Sequence, residues 1–208
     1  FDYAAKCRLL VVNDVNREDM DQVAAAYREL FFASRGGALG LFTAISRLRA
    51  VHKRLSIALA QKGLSLYAQH VDPMDTGTLV DMFRAERDAC LLGTDAVRDG
   101  VDVPGDSLRL IVLDRVPWGT PTILERARKE MFGGNAYGDM VVRLRLRQAF
   151  GRLIRSEQDR GCFVILDSRL ASRFTTAFPP GVAVERIGLV EAIDKVKSFS
   201  TLQRGEEE

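Results

Sequence analysis

Seven short apolar runs, separated by stretches of helical or turn character, constrain this chain more than any other feature. Residues 8–12, 38–43, 64–69, 89–93, 108–113, 162–166 and 182–187 are too short for buried helices and read as strands. The run at 108–113 is the most apolar, as a central parallel strand covered on both faces must be. Between the runs, Met20, Val23, Ala24, Tyr27, Leu30 and Phe31 recur at helical spacing until Gly36-Gly37, and Ile45, Leu48, Val51, Leu55 and Leu59 form a second such series. Further helices are expected over 79–83, 122–135 (closed by Gly133-Gly134), 139–156 and 189–199, with a helical turn or two at 168–174. Strands alternating with helices imply an α/β domain of three layers. Its sheet should be mainly parallel, with right-handed crossovers, helices on both faces and ligands at the carboxyl ends of the strands. One domain is expected over 1–203, with 204–208 a disordered tail.

Composition narrows the class without selecting a function. A chain of 208 residues, 47% hydrophobic and 28% charged, can bury one substantial core, and a net charge of +2 neither demands nor excludes a nucleic-acid partner. Three cysteines, each inside a strand-like run and without a CxxC pair, point to buried thiols in a reducing cytoplasm and away from a metal site. No run approaches the roughly 20 apolar residues of a membrane span. The chain opens at Phe1 without an initiator methionine, as an excised domain or a processed protein would.

Chemistry concentrates in Gln148-Ala149-Phe150-Gly151-Arg152-Leu153-Ile154-Arg155-Ser156. On a continuous helix Gln148, Arg152 and Arg155 stand at i, i+4 and i+7 and share a face, while Val142, Leu146, Ala149 and Leu153 form the core stripe. Two permanently charged planar forks and an amide suit a polyphosphate, whose oxygens accept two-point hydrogen bonds. Gly151 leaves room for a ligand or a neighbouring backbone beside the first arginine. A solvated arginine-rich helix is the plainer alternative.

Two further stretches leave strand ends. In Leu91-Leu92-Gly93-Thr94-Asp95-Ala96-Val97-Arg98-Asp99-Gly100-Val101-Asp102-Val103-Pro104-Gly105, Thr94 has a hydroxyl and an amide for a phosphate. Gly100 would allow a sharp turn, and Asp102 could accept from a ribose hydroxyl. In Gly40-Leu41-Phe42-Thr43-Ala44-Ile45, Thr43 reads as a helix N-cap or a phosphate contact. Arg47, Arg49, Lys53 and Arg54 then make a basic face, solvated or tracking a nucleic-acid backbone. His52 and His70 read as structural or surface residues, and Trp118 as a packing residue with base stacking as the alternative.

In this order and spacing the three stretches resemble motifs IV, V and VI of superfamily two helicases. The opening FDY, LLGTDAVRDGVDVPG followed by LRLIVLDRVPW, and RLRQAFGRLIRSEQDRGCFVILDSR bring the chain close to the DinG and XPD group of DNA helicases. The resemblance implies the second of two RecA-like motor domains, with ATP in the cleft between it and an N-terminal motor domain. It implies that Gln148, Arg152 and Arg155 reach the nucleotide, the arginines as catalytic fingers, and that Asp99, Gly100 and Asp102 lie on the nucleotide side. Thr43, Thr94 and Arg47 would hold single-stranded DNA, along which relatives move 5′ to 3′. Where the group has an aromatic pair and a glutamate before Gly-Val-Asp, this chain has Ala96, Val97, Arg98 and Asp99. It also has no GxxxxGK[ST] loop and no Asp-Glu pair of the Walker B kind, so ATP and Mg2+ would be bound mainly by the N-terminal motor domain. The 208 residues alone are expected to hydrolyse little ATP. A nucleic-acid binding module that kept the fold and lost the motor is the alternative; an unrelated nucleotide-binding transferase fits poorly without a phosphate loop.

Overall fold

A computed structural model of the chain describes residues 2–100, 102–103, 105–119 and 122–205, with backbone only at Asp106 and 202–205. The order is α1 (Tyr3–Lys6), β1 (Cys7–Val12), α2 (Met20–Ser34), β2 (Ala38–Leu41), α3 (Ile45–Gln61), β3 (Leu66–Ala68), α4 (Thr76–Ala85), β4 (Cys90–Gly93) and α5 (Asp95–Gly100). A 3₁₀ turn (Gly105–Ser107) leads to β5 (Leu110–Leu113), α6 (Ile123–Met131), α7 (Asn135–Leu153) and β6 (Gly161–Ile165). A second 3₁₀ segment (Ser172–Ala177) precedes β7 (Val184–Ile187) and α8 (Leu189–Gly205).

The strands form one seven-stranded sheet in the order β3-β4-β2-β5-β6-β1-β7. Every pairing is parallel. β5 is its centre, and all four of its residues are buried. Alternation along the strands divides the core. Leu9, Leu39, Leu91, Ile111 and Phe163 meet α4, α5 and α7 on one face, and Leu10, Ala38, Leu92, Val112 and Val164 meet α2, α3 and α8 on the other. Gly40 permits close packing of α2 on β2: a Cβ there would lie 2.8 Å from the Tyr27 ring and 2.7 Å from Leu92. The Tyr27 hydroxyl donates to the Val112 carbonyl at 3.2 Å.

Several elements depart from the sequence reading. Thr43 does not cap α3, whose N-cap is Ala44 without a side-chain hydrogen bond. α2 stops one residue before Gly36-Gly37, at Arg35 in the left-handed region, with the Gly36 N–H donating to the Phe31 carbonyl at 3.1 Å. α8 runs to Gly205, so Arg204 and Gly205 belong to a helix and not to a tail; residues 206–208 lie outside the described residues. Phe1, Val101 and Pro104, which help carry the resemblance, also lie outside them. Among the described residues no helix is long and apolar enough to cross a membrane, and no group of three or more His, Cys, Asp or Glu is placed to hold a metal ion.

Cys7, Cys90 and Cys162 are buried and free on β1, β4 and β6. Burial disfavours the thiolate and raises Cys7 to about 11 and Cys162 to about 12, with Cys90 pushed higher still. Ellman's reagent at neutral pH is therefore expected to label none of the three thiols rapidly in the native chain and all three after unfolding. These groups keep their protons longer when folded. Their contribution is full below the ordinary thiol value of 9.0 and is lost as pH rises toward 11–12, so the thermal midpoint should fall on that alkaline side.

Candidate nucleotide and nucleic-acid site

Thr43 and Thr94 follow the adjacent strands β2 and β4, whose last residues pair as Leu41 and Gly93. They line one small cleft with Arg98, Arg115, Pro117 and Arg145. The short helix α5 starts at this cleft, with the Thr94 carbonyl accepting from the Val97 and Arg98 amides at 3.0 Å. Gly93 is required here, since a Cβ would come within 2.4 Å of Val97. Thr94 already spends both donors: its amide (2.9 Å) and hydroxyl (2.8 Å) go to Oε1 of Gln69, which is buried and donates in turn to Thr76. The His70 ring stands 3.4 Å from the same hydroxyl, on a residue held at positive φ. Gln69 escaped the sequence reading and His70 was read only as a structural or surface residue, because nothing in residues 64–72 shows that this strand end meets Thr94.

The arginines gather at the other end of α5. Arg152, in the last turn of α7, donates to the carbonyls of Arg98 (3.1 Å) and Asp99 (2.7 Å). Arg155 pairs with Asp102, both partly exposed. It does not share a helical face with Gln148 and Arg152, because α7 ends at Leu153 and Ile154 is extended, with φ −120° and ψ 103°. Asp159 holds the new path instead. Its carboxylate accepts from the amides of Arg155 (2.8 Å), Ser156 (2.6 Å) and Gly105 (3.2 Å), tying the end of α7 to the loop after α5. A buried carboxylate accepting three backbone N–H groups locks both loops. The sequence signals it only as a lone aspartate just beyond a helix.

The remaining candidates are dispersed. Gln148 is exposed one turn before Arg152. The core stripe of α7 is buried as read, with Phe150 added to it. No neighbouring backbone approaches Gly151; the space around it is open. Gly100 is the last residue of α5 and is not at positive φ; Val101, where its expected turn would continue, lies outside the described residues. Asp99 faces Arg98, whose buried guanidinium lies 3.0 Å from it and 2.8 Å from Asp95.

Arg47 is set apart from the cleft. Its guanidinium grips the fully buried Asp114 at 2.6 and 2.7 Å and donates to the Arg17 carbonyl at 2.7 Å. The Asp114 hydrogen bond raises its pKa above the usual arginine value. Arg49, Lys53 and Arg54 stay exposed along α3, with Arg49 donating to the His70 carbonyl and Arg54 paired with Asp21. His52 is half-buried, and desolvation lowers its pKa.

Comparison with known proteins places this geometry. The model of the helicase C-terminal domain matches residues 27–182. The chain is 33% identical to the 3′-5′ exonuclease DinG of Bacillus subtilis over 169 residues (76% of this chain, 18% of that protein). It is 36% identical to the ATP-dependent helicase DinG of Mycobacterium tuberculosis over 151 residues (69% and 22%), and 30% identical to the ATP-dependent DNA helicase YoaA of Escherichia coli over 196 residues (86% and 30%). It thus spans only 18% to 30% of the length of these relatives. Among solved structures, an XPD helicase superposes with a TM-score of 0.65 at 14% identity, covering 86% of this chain and 35% of that one. Saccharomyces cerevisiae Dbp5 bound to RNA and ADP BeF3 gives 0.65 at 14%, covering 95% and 45%. These likenesses establish a three-layer RecA-like fold. On the match over residues 27–182 and the DinG and YoaA relatives, the chain belongs to the helicase C-terminal domain family, in its DinG and XPD group.

Proposed function

We propose that this chain is the second motor domain of an ATP-dependent DNA helicase, acting with an N-terminal motor domain of the same polypeptide to move along single-stranded DNA in the cytoplasm. The observation that carries the reading is the two-ended use of α5: Arg152 grips its last carbonyls, and Thr94 precedes its first residue in the cleft shared with Thr43. A single helix of six residues separates the two groups.

In this reading ATP lies against Arg152, Arg155, Gln148, Asp99, Gly100 and Asp102. Guanidinium forks at the edge of the domain suit phosphate oxygens. Mg2+ would be held mainly by the N-terminal motor domain. ATP binding draws the two domains together, Arg152 and Arg155 stabilise charge developing on the transferred phosphoryl group, and hydrolysis releases the grip. Thr43 and Thr94 hold the strand backbone, with Thr94 exchanging Gln69 for a phosphate oxygen. Arg47 serves this grip indirectly, through the β5 end that it holds.

A retired motor that only binds nucleic acid is the second reading. Its specific support is Arg98, which occupies the carboxylate of Asp99 at the position where this chain departs from its relatives. ATP turnover by the full-length polypeptide, with and without single-stranded DNA, separates the two. DNA-stimulated turnover is expected; DNA binding without turnover would establish the retired module and sink the motor.

A further inference from the structure

A cavity of about 320 Å³ opens between α6, α7 and the loop at Trp118, in the size range of small-ligand pockets. Its lining is mixed: Trp118 and Tyr137 present aromatic surface, Arg126 and Lys129 positive charge, Asn135 an amide and Glu125 a carboxylate. α6 buries no side chain. Its charged residues Glu125, Arg126 and Lys129 face the cavity, while Ile123 (88%) and Leu124 (60%) stand in solvent. An amphipathic helix normally buries the opposite side. Trp118 is 41% exposed yet firmly held. Its ring packs edge-on against buried Phe174 at 5.2 Å, and its carbonyl accepts from Arg145 at 2.8 Å. Arg145 also lines the Thr43 and Thr94 cleft, as does Pro117, the residue next to Trp118. The Pro117-Trp118 step, with Arg145 bonded to it, thus connects the lining of the cleft to that of the cavity.

We infer that this cavity receives one unstacked base of the single strand, an inference that rests on the DNA-binding reading above. An aromatic face accepts any base without reading sequence, and arginine and lysine at the rim suit the flanking phosphates. Asn135 and Glu125 can bond the donors and acceptors of a base edge.

The test is anisotropy binding of the full-length polypeptide to a labelled thymidine oligonucleotide and to an abasic oligonucleotide of equal length. Trp118→Ala should weaken binding of the base-containing strand roughly 5- to 100-fold and leave abasic binding unchanged, with Trp118→Phe restoring most of the loss. Tyr137→Leu, which keeps an apolar side chain and spares the Phe174 contact, should give a smaller loss in the same base-dependent direction. Equal losses on both strands, or none on either, would overturn the base pocket while DNA binding stands. Failure of the wild type to bind either strand would remove the DNA-binding reading and the pocket with it.

Discussion

Arg155→Ala in the full-length polypeptide is expected to lower DNA-stimulated ATP turnover by about 10³-fold while leaving DNA affinity within a factor of about two. The guanidinium is already placed and charged, held by Asp102 in a partly exposed pair. Such pairs are worth about 1 kcal/mol or less, so a phosphate brought into the cleft can take Arg155 from Asp102 at little cost. Arg155→Lys should recover only a small part of the rate, because an ammonium supplies charge without the fork. The main chain carries the placement, through Asp159, and truncating the side chain leaves those bonds in place. Circular dichroism and melting of the variant should therefore match wild type. Turnover equal to wild type would remove Arg155 from the nucleotide. A parallel fall in DNA affinity would mean that the residue serves the domain as a whole.

The second large effect concerns stability, at Arg47. Its removal strands a carboxylate that has no solvent exposure, at a cost of about 3–5 kcal/mol. Against a total of about 5–15 kcal/mol for a domain, that loss should lower the melting temperature by roughly 6–20 °C. The raised pKa keeps Arg47 charged throughout the neutral range, so the wild-type pair stays whole from about pH 6 to 9. Arg47→Ala combined with Asp114→Leu should recover most of the loss, since no charge is then left unpaired. A residue acting only as a phosphate grip would behave oppositely. It would cost DNA affinity, flatten the salt dependence and leave melting unchanged. An Arg47→Ala protein with wild-type melting would refute the structural role.

The sequence by itself determined the order of the seven strands and of α2, α3, α4, α6, α7 and α8, the parallel three-layer architecture and the core stripe of α7, because those follow from periodicity along a continuous segment; α1 and α5, too short to show a period, came only with the structure. The run at 108–113 announced a strand covered on both faces, and β5 is the centre of the sheet. Motif order also led to the family, whose model matches residues 27–182. Tertiary structure decided what each polar side chain meets. Arg47 reads as one member of a basic helix face, yet Asp114, distant in sequence, claims it. Arg155 reads as helical, yet Asp159 turns the chain before it, and a competing hydrogen-bond acceptor is invisible to helical counting. Thr94 reads as a free donor until Gln69 arrives from the neighbouring strand. Periodicity records which side of an element is apolar. A charged or amide group finds its partner only when separate segments are folded together, and at these positions the partner decides the role.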